Sequence, residues 1–124
     1  MILFETVAAY EAAIKLCEHE LAYEDAYTLA KLCAELKPHA EYYITEERKL
    51  AELCAKKSEN GLAIIADGNR ITFESAELRE HFETKRAELA MVNFDLGHEP
   101  YKIKKPEMIR GAAILALEGF VEFV

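Results

Sequence analysis

Apolar residues recur along this chain at helical spacing, most regularly between Asp25 and Lys57. Leu29, Leu36, Tyr43 and Leu50 fall seven apart, and Cys33, Ala40, Glu47 and Cys54 repeat four positions after them. Together they make one stripe with a period of about 3.5 residues, the mark of a helix packed lengthwise against other helices. Only Glu47 interrupts it. The spacing therefore predicts one long helix over 25–57. Such a helix would span roughly 50 Å, too long for a small domain unless a separate partner covers each half. Pro38 lies inside it. An interior proline removes a hydrogen bond and clashes with the preceding turn, at a cost of about 3 kcal/mol. A break near Lys37 is the alternative, but the stripe keeps its phase across Pro38, which favours a kinked, continuous helix.

Both partners are written in the flanking sequence. Leu3, Val7, Tyr10, Ile14, Cys17 and Leu21 form a seam that predicts a first helix over 3–21, with Glu5, Glu11, Lys15 and Glu18 turned away from it. The short connection after Leu21 makes this helix an antiparallel neighbour of the long one. Lys56 and Lys57 suit the negative end of the long helix, and Gly61 suits its exit. Two short runs of β-formers, 62–66 and 69–73, surround Asp67-Gly68 and predict a β-hairpin. Ser75 is the expected N-cap of a helix reaching about Met91, with Leu78, Phe82, Leu89 and Val92 as its stripe. This helix should return along the second half of the long one.

Beyond Met91, Val92, Phe94 and Leu96 alternate with polar residues, as do Tyr101 and Ile103. Short strands extending the hairpin are expected there, turning at Gly97–Pro100. Pro106 is placed to open a last helix, which Gly119 ends or bends. The tail from Gly111 is the most apolar stretch. It docks into its own core or is covered in a homo-oligomer, which is the expected state. The whole reads as a mostly helical α+β fold in one domain, 1–124: a long central helix, two antiparallel partners, a β-hairpin and a C-terminal helix.

Composition narrows the function. The chain has 124 residues, 52% of them hydrophobic, enough for a modest core. No apolar run approaches the roughly eighteen residues of a membrane span, and the start lacks the basic region of a secretion signal. A cytoplasmic protein without a membrane partner is expected. The net charge of −8 disfavours direct nucleic-acid binding. Cys17, Cys33 and Cys54 all fall on helical patterns and read as buried free thiols. His19, His39, His81 and His98 lack the paired spacing of a zinc site, and neither a glycine-rich phosphate loop nor a nucleophile elbow is present. The expectation is a non-enzymatic protein without metal or cofactor.

The residues that stand out are in mid-helix. Adjacent tyrosines point about 100° apart on a helix, so Tyr43 takes the seam and Tyr42 its edge, with Glu46 one turn above and Arg48 close by in sequence. An exposed tyrosine with these charges is a candidate contact site for a partner or a nucleotide base. Arg70 and Phe73 in the hairpin are the further cation and aromatic that a nucleotide pocket would draw on. The plainer alternative is that Tyr42 covers the joint at Pro38 and that 46–49 form surface ion pairs.

The succession of pieces also resembles a group of small phage and prophage proteins of Gram-positive bacteria catalogued as domains of unknown function. It is carried by Ala26-Tyr27-Thr28-Leu29-Ala30-Lys31-Leu32, then Tyr42-Tyr43-Ile44-Thr45-Glu46-Glu47-Arg48, and then Ser58-Glu59-Asn60-Gly61. Asp67-Gly68, Lys105-Pro106-Glu107 and the closing Leu115-Ala116-Leu117-Glu118-Gly119-Phe120-Val121-Glu122 follow in order. The chain departs from that group in having Pro38 and a longer first helix. The resemblance implies a phage origin and a small accessory role. Together with the acidic surface, the helical seams and the absent catalytic constellation, it leads to the expectation of a non-enzymatic protein in the host cytoplasm that binds a host or phage protein, for instance to inhibit an anti-phage defence. A sponge for a nucleotide immune signal and a minor virion or assembly component are the alternatives.

Overall fold

A computed structural model of the chain describes residues 2–55, 57 and 71–124, with the backbone of 65, 66 and 70. Helix α1 is Leu3–Cys17, α2 is Tyr23–Cys54, α3 is Ala76–Ala90 and α4 is Gly111–Leu117. Strands β1 (Ile65–Ala66) and β2 (Arg70–Ile71) lie between α2 and α3, while β3 (Tyr101–Ile103) and β4 (Val121–Phe123) flank α4. The architecture is mostly helical α+β, with the long α2 packed on α1 and α3. Among the described residues, no helix is long and apolar enough to cross a membrane.

α2 is continuous for 32 residues, with an exposed Pro38 inside it. Leu29, Leu36, Ala40, Tyr43 and Cys54 of the predicted stripe are buried, joined by Leu32 and Ala51. Glu47, the interruption, meets Arg86 of α3, its Oε2 3.2 Å from Nε. The helix ends earlier than its charge pattern suggested. Ala55 turns extended (φ −71°, ψ 150°) and forms a bridge with Phe73. Lys57 is thus outside the helix rather than in its last turn, and its Nζ donates to the Glu52 carbonyl, one of the acceptors a helix end leaves open. The predicted exit at Gly61 lies outside the described residues.

α1 runs antiparallel to α2, with the Phe4 ring 5.6 Å from that of Tyr43 and Leu16 in the same core as Leu29 and Leu32. Its buried face differs from the predicted seam. Leu3, Thr6, Ala9, Ala12, Ala13 and Leu16 are buried, whereas Ile14 and Cys17 are exposed, and the helix stops at Cys17. The reason is size. Three alanines let the α1 backbone lie close to α2 and α4 at once, and the bulkier Val7, Tyr10 and Ile14 row is displaced to the flank. Thr6 is accommodated in the interior because its Oγ1 donates to the Leu3 carbonyl at 2.6 Å. Of the three thiols expected to be buried, only Cys54 is fully so.

α3 begins at the expected cap, with Ser75 Oγ accepting from the Leu78 N–H at 3.2 Å. It runs antiparallel to the second half of α2. Phe82 packs on Ala51 and Cys54 in a small second core, and Arg86, one turn on, reaches back to Glu47. Leu78 and Leu89 are half-buried, and Val92 is exposed.

The C-terminal part departs most from expectation. β3 does not extend the hairpin; it pairs in parallel with β4, Tyr101 opposite Val121 and Ile103 opposite Phe123, across an α4 crossover. β1 and β2 form a separate antiparallel pair, Ile65 opposite Ile71, and the Asp67-Gly68 turn lies outside the described residues. The 92–96 alternation makes no strand, only a bridge from Asn93 to Ile2. The last helix starts at Gly111, not Pro106, and ends at Leu117. Gly119, at φ 84°, turns the chain into β4. Tail docking thereby becomes concrete. Ile103, Leu117, Phe120 and Val121 join the main core with Leu29, Leu32 and Leu36.

Candidate functional site

The fully buried positions of α2 begin at Leu29; before it Tyr23, Glu24 and Tyr27 are exposed, while Asp25, Ala26 and Thr28 are half-buried. Tyr23 and Tyr27, one turn apart, stack with rings 8° from parallel and centroids 6.2 Å apart. Lys31, one turn further, places Nζ 5.0 Å from the centre of the Tyr27 ring. Tyr23 is 82% exposed and Tyr27 55%. Stacking and the cation hold the rings in register, so less side-chain freedom is lost when something covers them. Asp25, between the tyrosines, accepts from the Lys104 N–H at 3.4 Å and ties this end of α2 to β3. Tyrosine offers a large rigid apolar face and a polar tip, which is why it concentrates at the energetic centres of interfaces.

One turn beyond Lys31, Glu35 gathers a polar cluster. His98 Nε2 lies 2.7 Å from Oε2, and the Tyr101 hydroxyl donates to Oε1. The other ring nitrogen, Nδ1, is 2.6 Å from the Glu99 carbonyl, which can only accept. With Glu35 ionised, both nitrogens face acceptors, so the site favours the charged ring. Its pKa rises above the ordinary 6.5 through the bond to Glu35, then the bond to the Glu99 carbonyl, with the Glu35 charge adding to both against slight desolvation. Burial acts to raise Glu35, but the bonds from Tyr101 and His98, with the charges of His98 and Lys31, outweigh it and hold the carboxyl below 4.5. Tyr101 is pushed up to about 12 by its bond to Glu35, helped by burial and the adjacent charge. With both carboxylate oxygens and both ring nitrogens engaged, the cluster is a fastener. It clamps the turn at Gly97–Pro100, and β3 behind it, to the middle of α2.

A third feature is a hollow of about 710 Å³ beside the start of α3. Phe73, Phe82, Ser75, Arg79 and Arg86 line part of it. The Phe73 and Phe82 rings are 5.4 Å apart. Arg79 Nε is 3.3 Å from Glu83, and Arg86 is held by Glu47.

The residues singled out in the sequence do not converge. Tyr42 is exposed on α2, and Glu46, one turn along, bonds Lys49 at 3.1 Å. Arg48 is six residues from Tyr42, about 240° around the helix, and lies on the opposite flank. Phe73 sits in the third hollow with Arg79 and Arg86 rather than with Tyr42, Glu46 or Arg48. Arg70 has its backbone in β2, and its side chain lies outside the described residues. Tyr43 is buried between Phe4 and the Glu47–Arg86 pair. Burial raises its pKa; the bond from Arg86 opposes this, and Glu47 reinforces it. The four-residue spacing of Tyr23, Tyr27 and Lys31 is legible in the sequence, but the row lies off the apolar seam, so hydrophobic periodicity does not select it. Comparison with protein-family models, with curated proteins and with solved structures yields no match.

Proposed function

We propose that this chain is a small accessory protein that works by binding another protein, with the Tyr23–Tyr27–Lys31 row as the centre of the contact. The carrying observation is that pair of stacked, outward tyrosines on turns of α2 that precede its first buried residue. The polar cluster around Glu35 supports a binding rather than a catalytic role, since its donors and acceptors are spent on one another. The resemblance to phage and prophage proteins supports a phage origin, a host or phage protein as the partner, and the host cytoplasm as the place of action. Interference with an anti-phage defence is the corresponding role. The test is capture from host lysate with wild type and the Tyr23→Ser/Tyr27→Ser variant. A specific partner held by wild type and lost by the variant is expected. No partner above background, or equal capture by both, contradicts the proposal.

The hollow at Phe73 favours a second reading, sequestration of a nucleotide signal, because two phenyl rings and two guanidiniums surround it. A melting temperature unchanged across a panel of cyclic nucleotides would remove it.

A further inference from the structure

We propose that the face formed by α1 and α4 is the contact between two copies of this chain, related by a two-fold axis. α4 lies antiparallel along α1. Leu115 and Glu118 meet Phe4, Glu5 and Ala8 around a hollow of about 510 Å³. Met108, Arg110 and Ala113 meet Ala12, Lys15 and His19 around another of about 650 Å³. Large apolar side chains stand open along this face, with Met108 80%, Leu115 73% and Phe4 47% exposed. Leu115 belongs to the apolar tail whose other residues, Leu117, Phe120 and Val121, are already in the core. An uncovered apolar strip of this kind marks an interaction surface.

Charge selects the occupant. Glu5 and Glu118 mark one end of the face. Lys15, Arg110 and His19 mark the other, where Glu18 is also present. Glu5, Glu118, Lys15 and Arg110 form no ion pair with another described residue. A two-fold axis perpendicular to α1 reverses the direction of the face, so the acidic end of each copy meets the basic end of the other, and the same surface serves both copies. In α1 the register is simple. Positions 5 and 15 are equidistant from position 10, so Glu5 faces Lys15 of the partner subunit. Ala8, exposed on the same face, places a small side chain near where the two α1 helices cross. A parallel arrangement would set acid against acid. The chain as a whole carries −8, and on this face the paired charges let two copies approach despite it.

Sedimentation equilibrium of the full chain tests this with two charge-reversed variants, each checked for retained helical circular dichroism. Wild type is expected to be a dimer. Glu5→Lys/Glu118→Lys makes both ends basic, and Lys15→Glu/Arg110→Glu makes both ends acidic. Each should weaken self-association by roughly a hundredfold, as like charges then oppose one another. An equimolar mixture of the two should restore the dimer, because each variant's ends now complement the other's. Leu115→Glu, at an exposed position, should also dissociate wild type. A wild-type monomer, variants that dimerise as wild type does, or a mixture that stays monomeric would each overturn the proposal.

Discussion

His98 is bonded at both ring nitrogens, so its contribution to stability depends on being charged. Its folded pKa lies above its ordinary value. The stabilisation is therefore complete below about 6.5 and is lost as pH rises through the raised folded value. Glu35 is shifted the other way, so its share is present above about 4.5 and is lost as pH falls through its lowered folded value. The clamp is strongest between those limits. Wild type should lose stability as pH rises above about 6.5 and through the raised folded value of His98, and Glu35→Gln should flatten that slope, as read from urea midpoints. Parallel profiles for the two proteins would contradict the assignment. None of this was legible in advance. Glu35 and His98 are 63 positions apart and belong to elements whose meeting depends on β3 pairing with a strand that periodicity did not reveal. Tyr43 and Glu47 were legible because a regular stripe makes both the member and the exception visible.

α2 is continuous from Tyr23 to Cys54 although Pro38 lies inside it. The helix continues through the proline because buried contacts on both sides, Leu36 and Ala40, hold it in phase. The missing hydrogen bond is still a cost. Pro38→Ala should raise stability by about 1–2 kcal/mol, the helix gain being offset in part by a more flexible unfolded chain. A lower urea midpoint would contradict this reading of Pro38. α1 teaches a different lesson. Hydrophobicity points to Ile14 as seam, yet Ala13 is buried and Ile14 is exposed, because α1 packs against two neighbours and small residues set that distance. Ala13→Leu should cost about 1–3 kcal/mol by overpacking, while Ile14→Ala should cost under about 1 kcal/mol. The reverse order would restore the seam read from spacing. β4 is not legible from the sequence for a local reason. Val121-Glu122-Phe123 alternates buried, exposed and half-buried, but three residues after a helical run are too few to separate a strand from a helix end.

For the whole molecule, the long helix with a partner on each half and a capped α3 was readable because those features repeat. The C-terminal β–α–β arrangement was not, since it depends on a parallel pairing between strands 17 residues apart (Ile103 to Val121 exclusive) that share no common motif. The proposed contacts divide the surface between two faces. The α1–α4 face joins copies of the chain, and the open end of α2 meets another protein. The most direct measurement places a photo-crosslinking residue at Tyr27 and, as control, at the exposed Leu53, in cells that express the chain. A dominant adduct with one other protein from position 27 and none from position 53 is the predicted result. No adduct from position 27, or the same adducts from both positions, would contradict the account.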